Sequence, residues 1–162
     1  MFKPVPLNLP PYPFKLTQKD DDLFIFDELR KKQLLLTPEE WVRQHVVQYL
    51  MIQKKYPKNF IKLEGGLKLN QLQKRTDILV FDQFGKADIL VECKATHVKI
   101  DQKVFDQAAR YNMIHRVNYL LVSNGLNHYC CQLDYENESY TFLEELPVYI
   151  AKQASNKNVP KP

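Results

Sequence analysis

Two short apolar runs separated by a polar turn stand out in the middle of the chain. Residues 78–81 (Ile-Leu-Val-Phe) and 89–91 (Ile-Leu-Val) contain no polar side chain. Apolar segments this short and this rich in β-branched residues are typical of buried strands. The pattern therefore predicts an antiparallel hairpin. Because the pairing is antiparallel, Asp77 and the segment 92–94 are expected to lie together at one edge of the sheet.

Two other stretches carry apolar residues at helical spacing. The first begins at Thr37, an N-cap that is followed by Pro38 and, three residues on, by Glu40. This arrangement predicts a capping box at the start of a helix that ends near Lys55. The second stretch, residues 101–116, has apolar residues every three or four positions and predicts a second helix.

A further apolar run, residues 119–123, follows the second helix and predicts another buried strand. Since a helix separates it from the hairpin, this strand is expected to pair with the hairpin in parallel. Alternating segments within residues 60–69 and 126–142 predict additional strands, the first one bent at a pair of glycines. The predicted fold class is therefore α/β, with a central mixed sheet flanked by helices.

The ends of the chain have a different character. Residues 1–13 contain five prolines and predict an extended arm. Two segments within residues 14–26 flank an acidic turn and predict an extra N-terminal β-hairpin. A short apolar segment at residues 34–36 is expected to be a strand or a buried lead-in to the first helix. Residues 14–150 are then expected to form a single domain, and residues 151–162 a disordered tail.

Composition is that of an ordinary globular protein. The chain of 162 residues is long enough for one domain with a sizeable core. Its content of 44% hydrophobic and 26% charged residues is typical of a globular protein. No apolar run approaches the roughly 20 residues that cross a bilayer. The N-terminus lacks the apolar core of a secretion signal. Three cysteines give no disulfide framework, so a cytoplasmic protein without a membrane role is expected.

The formal net charge of +4 is compatible with a nucleic-acid partner but does not require one. Its distribution is more informative, because basic residues lie before and beside Asp77. Such a flank is able to hold phosphates near an acidic site, or it is simply a solvated surface. The basic residues in question are Lys54, Lys55, Lys58, Lys62, Lys68, Lys74 and Arg75.

Asp77, Glu92 and Lys94 form the candidate chemical site. Glu92 and Lys94 are two residues apart on a strand and so project from the same face, whereas Cys93 points to the other. Paired carboxylates bind hard divalent cations such as Mg²⁺. A lysine beside them orients a water molecule or offsets developing negative charge. The alternative is that these residues are a strand end and a solvated polar face.

The motif Asp77 with Glu92-Cys93-Lys94 resembles that of the PD-(D/E)XK nuclease superfamily, and within it the N-terminal domain of type I restriction enzyme R subunits. Thr76 stands where many members have proline. The resemblance covers about residues 35–125. It implies a restriction-endonuclease-like core in which Asp77 and Glu92 ligate Mg²⁺ or Mn²⁺ and Lys94 positions the attacking water.

Two other elements support this resemblance. Gln107 and Tyr111 are similar to a Gln-x-x-x-Tyr element that follows the hairpin in related nucleases, and their spacing puts both on one helix face. The resemblance implies a supporting or phosphate-binding role for them. The segment 37–43 resembles the first helix of the fold, where a glutamate often adds a metal contact. Either Glu39 or Glu40 fits that position.

The implied activity is metal-dependent hydrolysis of a DNA phosphodiester bond. One departure from type I R subunits is that the chain has no Gly-x-x-x-x-Gly-Lys-Ser/Thr phosphate loop, so we expect no ATP-driven translocation from this polypeptide. It then cleaves alone, or as a homodimer that cuts both strands, or with a separate motor or specificity subunit. The alternative is a non-catalytic nucleic-acid-binding or interaction subunit that keeps the nuclease fold.

Overall fold

The computed structural model describes residues 2–63 and 77–153, apart from the side chains of residues 111–114. The predicted glycine bend and most of the predicted disordered tail fall on residues 64–76 and 154–162. Both lie outside the described residues.

Three strands precede the first helix of the described chain, three lie between the two helices, and three follow the second. The strands are β1 (Leu16–Lys19), β2 (Asp22–Asp27), β3 (Lys32–Leu35), β4 (Ile61–Leu63), β5 (Ile78–Phe81), β6 (Ala87–Cys93), β7 (Tyr119–Ser123), β8 (His128–Asp134) and β9 (Ser139–Leu143). The helices are α1 (Pro38–Ile52) and α2 (Gln102–His115), with a 3₁₀ turn at Lys58–Phe60. No helix in the described part of the chain has the length and apolar character needed to cross a membrane.

A mixed sheet forms the centre of the fold, with the strand order β4-β5-β6-β7-β8-β9. Strands β6 and β7 pair in parallel, as expected for strands joined through a helix, and the other neighbouring pairs are antiparallel. In the β5–β6 hairpin, Ile78 pairs with Val91 and Leu79 with Leu90. The predicted hairpin and the predicted α/β class with a mixed sheet are confirmed.

The two helices cover opposite faces of this sheet. Alternate residues of β5 and β6 separate into two buried clusters because successive side chains on a strand point to opposite faces. Ile78 and Val91 pack with the apolar face of α1. Leu79 and Leu90 pack with Phe105 of α2. The hairpin is therefore buried on both faces, which accounts for its uninterrupted apolar runs.

The extra N-terminal element is larger than the predicted hairpin. Strands β1, β2 and β3 form an antiparallel sheet of their own, in which β3 contains part of the apolar segment at residues 34–36. The proline-rich segment before β1 contacts the loop between β7 and β8, where the Asn8 N–H donates to the Gly125 carbonyl at 2.8 Å. Leu7 lies against the same glycine.

Helix α1 differs from its prediction at both ends. Thr37 caps it as expected, since its Oγ accepts from the Glu40 N–H at 3.1 Å. The Glu40 carboxylate, however, bonds arginine side chains, so the predicted capping box is only half formed. The helix ends at Ile52, before the predicted end near Lys55, because Lys55 adopts a left-handed conformation with φ of 62°.

Candidate functional site

The end of the β5–β6 hairpin brings the predicted acids and lysine together. Asp77 immediately precedes β5, and the pairing of Ile78 with Val91 places it opposite Glu92. Lys94 directly follows β6, where its backbone N–H donates to the Ser123 carbonyl of β7 at 2.8 Å. Parallel pairing with a buried strand therefore fixes the chain at the point where Glu92 and Lys94 emerge.

Asp77 is 7% exposed, and its carboxylate has a partner on each oxygen. Its Oδ2 accepts from the Cys93 backbone N–H at 2.6 Å, which joins the start of β5 to the end of β6. Its Oδ1 accepts from the Arg43 Nη2 at 2.7 Å. The backbone bond fixes the orientation of the carboxylate, and the arginine neutralises its charge.

Glu92 and Lys94 form the second half of the site. They project from the same face, as predicted, with the Lys94 Nζ 3.0 Å from the Glu92 Oε1. Cys93 between them is buried in the core beneath α1. Burial and then the charge of Asp77 raise the pKa of Glu92 to about 7, even though Lys94 acts in the opposite direction. Two carboxylates at this position thus repel one another despite the lysine.

Glu92→Gln is expected to remove a pH dependence of stability. The pKa of Glu92 is about 7 in the fold and has its ordinary value of 4.5 in the unfolded chain. Between these values the folded state binds more protons, so the free energy of unfolding falls as the pH rises. The glutamine variant should lack this decline and should be more stable than the wild type at a pH above the pKa in the fold. Urea unfolding of both proteins at several pH values between the two pKa values measures this difference. If the free energy of unfolding depends on pH in the same way in both proteins, the raised pKa is contradicted.

Arg43 belongs to the site although the sequence did not identify it as functional. Its guanidinium contacts Asp77, Glu39 at 3.0 Å and also Glu40. Burial alone would lower the pKa of Arg43, but the charges of Asp77 and Glu40 outweigh it and raise the pKa. The sequence did contain one signal, since Arg43 follows Glu40 and Glu39 by three and four residues on one helix.

The structure separates the two candidate glutamates. The Glu40 side chain is 9% exposed and bonds Arg30, Arg43 and Gln44, so it belongs to a buried ionic network. The Glu39 side chain is 46% exposed, and burial followed by the charge of Asp77 raises its pKa. Glu39 is therefore the glutamate of α1 that faces the site.

The supporting residues are less well defined. Gln107 and Tyr111 both lie on α2, which packs against β6 and β7, and Gln107 is half-buried. The side chain of Tyr111 lies outside the described residues, so the phosphate-binding role of this pair stays a prediction.

The basic flank is smaller than expected from the sequence. Lys54 is 4% exposed, lies over the Tyr49 ring and pairs with Glu145 at 3.0 Å, so it is not available to bind phosphate. Lys55, Lys58 and Lys62 are exposed. The remaining members of the predicted flank, at positions 68, 74 and 75, lie outside the described residues.

The donor set of the site fits a divalent cation in its chemistry. Asp77, Glu92 and Glu39 offer carboxylate oxygens, the ligands that Mg²⁺ prefers. In the described part of the chain, no group of three or more His, Cys, Asp or Glu side chains is arranged to hold a metal ion. Mg²⁺ usually keeps several waters and needs one or two protein carboxylates, so Asp77 and Glu92 are sufficient in number.

One family model and one solved structure are similar to this chain. A family model described as the type I restriction enzyme R protein N terminus matches residues 38–147, which is more than half of the chain. A solved fragment of a protein described as an HsdR subunit of a type I restriction enzyme from Vibrio vulnificus YJ016 is 24% identical over 54% of this chain. The match covers 16% of that chain with a TM-score of 0.36. No curated protein matches.

Proposed function

The chain belongs to the family of type I restriction enzyme R protein N termini, and from this premise we propose that it is a divalent-cation-dependent nuclease domain of the PD-(D/E)XK kind. Its substrate is a DNA phosphodiester bond, which it cleaves by hydrolysis. The family membership supports a restriction-related role, and the geometry of the hairpin end supports the chemistry.

One observation carries the proposal. Asp77, Glu92 and Lys94 converge where β5 begins and β6 ends, and the two carboxylates are close enough for the charge of Asp77 to raise the pKa of Glu92. A pair of buried acids that repel each other is unfavourable unless a cation joins them or a proton neutralises one. Such a pair is expected at a site that binds a divalent cation.

In the proposed reaction, Asp77 and Glu92 would hold Mg²⁺ or Mn²⁺, with Glu39 as an additional acid. When bound, such an ion supplies Lewis-acid polarisation of the phosphate and lowers the pKa of a nearby water. The Lys94 ammonium, fixed by Glu92 at 3.0 Å, orients the attacking water or offsets charge on the phosphate as the bond breaks. Gln107 and Tyr111 are proposed to support the phosphate.

Nicking of supercoiled plasmid tests this function. The protein should nick DNA with Mg²⁺ or Mn²⁺ and not with EDTA, and Glu92→Gln should abolish the activity while the fold persists. Glu136→Gln, a matched change at an exposed turn position, should cleave like the wild type. Absence of metal-dependent nicking by the wild-type protein, or full activity in Glu92→Gln, would refute a nuclease at this site.

A second function, DNA binding without turnover, is favoured by one observation. Arg43 already neutralises Asp77, as expected in a domain that keeps the acidic cluster without using it for chemistry. Binding of labelled DNA in Ca²⁺, with its dependence on salt, together with no cleavage in Mn²⁺ would support this alternative. The DNA and any separate motor or specificity subunit are proposed partners in either case.

A further inference from the structure

The Arg43 guanidinium contacts Asp77, one of the two carboxylates that the proposed function assigns to a divalent cation. It donates to the Asp77 Oδ1 at 2.7 Å, and its side chain is only 16% exposed. A charged group that is held this close and this far from water neutralises its partner strongly. Any cation that uses Asp77 must therefore displace Arg43 or bind against its repulsion.

The two oxygens of Asp77 are held in different ways. Oδ2 accepts from the Cys93 N–H, which belongs to the β6 backbone and cannot leave without disrupting the sheet. Oδ1 accepts from Arg43, a long side chain on a separate helix that has rotamer freedom. Displacing Arg43 thus exposes Oδ1 while the backbone bond keeps the carboxylate in the same orientation.

Arg43 can leave Asp77 without becoming an unpaired buried charge. It also contacts Glu40 through Nη1 and Glu39 through Nη2, the latter at 3.0 Å. Glu40 is fixed in turn by Gln44 at 2.8 Å and by Arg30 at 3.1 Å. A small rotation toward these α1 carboxylates would keep Arg43 paired after its contact with Asp77 is lost.

We propose that Arg43 is a built-in counter-cation that competes with the divalent ion for Asp77. The inference rests on the proposed function, because it assumes that the ion binds between Asp77 and Glu92. Arg43 neutralises Asp77 when no ion is present, and the ion and Arg43 exchange when it arrives. Arg43 is thus a positioning residue that sets the affinity for the cation rather than a ligand or a catalytic group.

Titration with Mn²⁺, followed by the loss of the electron paramagnetic resonance signal of the unbound ion, tests this proposal without measuring cleavage. We expect Arg43→Gln to bind Mn²⁺ about tenfold more tightly than the wild-type protein, because a competitor and a repelling charge are removed together. Its melting temperature without metal should fall and should rise more on addition of Mn²⁺ than that of the wild type.

Arg30→Gln is the matched control, because Arg30 bonds the same Glu40 and does not bond Asp77. It should lose stability without metal and bind Mn²⁺ like the wild type. If Arg43→Gln fails to fold, Mn²⁺ binding is measured on Arg43→Lys instead. Lysine lacks the planar fork that spans two carboxylates, so this variant should also bind Mn²⁺ more tightly than the wild type.

The outcomes separate this inference from the proposed function. Equal or weaker Mn²⁺ binding in the folded Arg43 variants, with wild-type binding that depends on Glu92, overturns the role of Arg43 and leaves the metal site standing. Tighter binding in Arg30→Gln as well as in Arg43→Gln also overturns it, since the effect would then be general. Wild-type binding that Glu92→Gln does not change, or no binding at all, overturns both proposals.

Discussion

Lys94→Ala is expected to lower the rate of Mn²⁺-dependent DNA cleavage by about 10²–10³-fold, the usual loss when one group that stabilises the transition state is removed. The Lys94 ammonium is placed for this role by its 3.0 Å contact with Glu92. Its side chain is 27% exposed, so truncation should change the free energy of unfolding by no more than about 1 kcal/mol. Single-turnover cleavage of plasmid and urea unfolding measure the two quantities.

Lys86→Ala is the matched control for this experiment. Lys86 lies in the exposed turn at the opposite end of the same hairpin, so its loss should affect neither cleavage nor stability.

Lys94 is a cleaner probe than Asp77, because replacing Asp77 by alanine also leaves the buried Cys93 N–H without its acceptor. If Lys94→Ala cleaves at the wild-type rate, this lysine has no part in the chemistry.

Asp27→Ala is expected to have the largest effect on stability, lowering the free energy of unfolding by about 3–5 kcal/mol. Asp27 is 1% exposed, and its carboxylate accepts from the Leu29 N–H at 2.9 Å and the Arg30 N–H at 2.8 Å. It also pairs with the Arg30 side chain and accepts from Gln44 at 3.0 Å. Alanine would leave the two backbone N–H groups without an acceptor and would remove one of the two carboxylates that the Arg30 and Gln44 side chains share, since both also bond Glu40.

Urea unfolding of Asp27→Ala and Asp22→Ala distinguishes this network from a general loss of negative charge. Asp22 is an exposed residue at the start of the same strand, and its replacement should change stability by less than about 0.5 kcal/mol. Similar losses in the two variants would mean that the buried contacts of Asp27 contribute little.

The same network connects the N-terminal sheet to the candidate site. Asp27 and Arg30 lie at the turn between β2 and β3, Arg30 pairs with Glu40 on α1, and Glu40 pairs with Arg43. Arg43 then contacts Asp77 beside β5. An ionic chain therefore runs from an element outside the main sheet to the proposed metal ligand, and it gives this small sheet a part in placing the site.

Much of the fold was predictable because it depends on short-range patterns. Alternation and apolar runs identified the strands, and the cap at Thr37 identified the start of α1. Antiparallel pairing within one hairpin was sufficient to bring Asp77 to Glu92 and Lys94, since these residues are joined by a short turn. The end of α1 was not predictable, because the left-handed conformation of Lys55 occurs at a residue type with no preference for it.

The sequence by itself determined the β5–β6 hairpin, the two helices and the grouping of two acids with a lysine, because each depends on residues that are near one another along the chain. Only the tertiary structure decided which charged residues from distant segments pair. It placed Arg43 against Asp77, assigned Glu40 to a buried network and Glu39 to the site, and buried Lys54 beside Glu145. Ion pairs between distant segments depend on how the helices pack on the sheet. A charged residue attracts any opposite charge that comes near it, so its partner is not identified by the sequence.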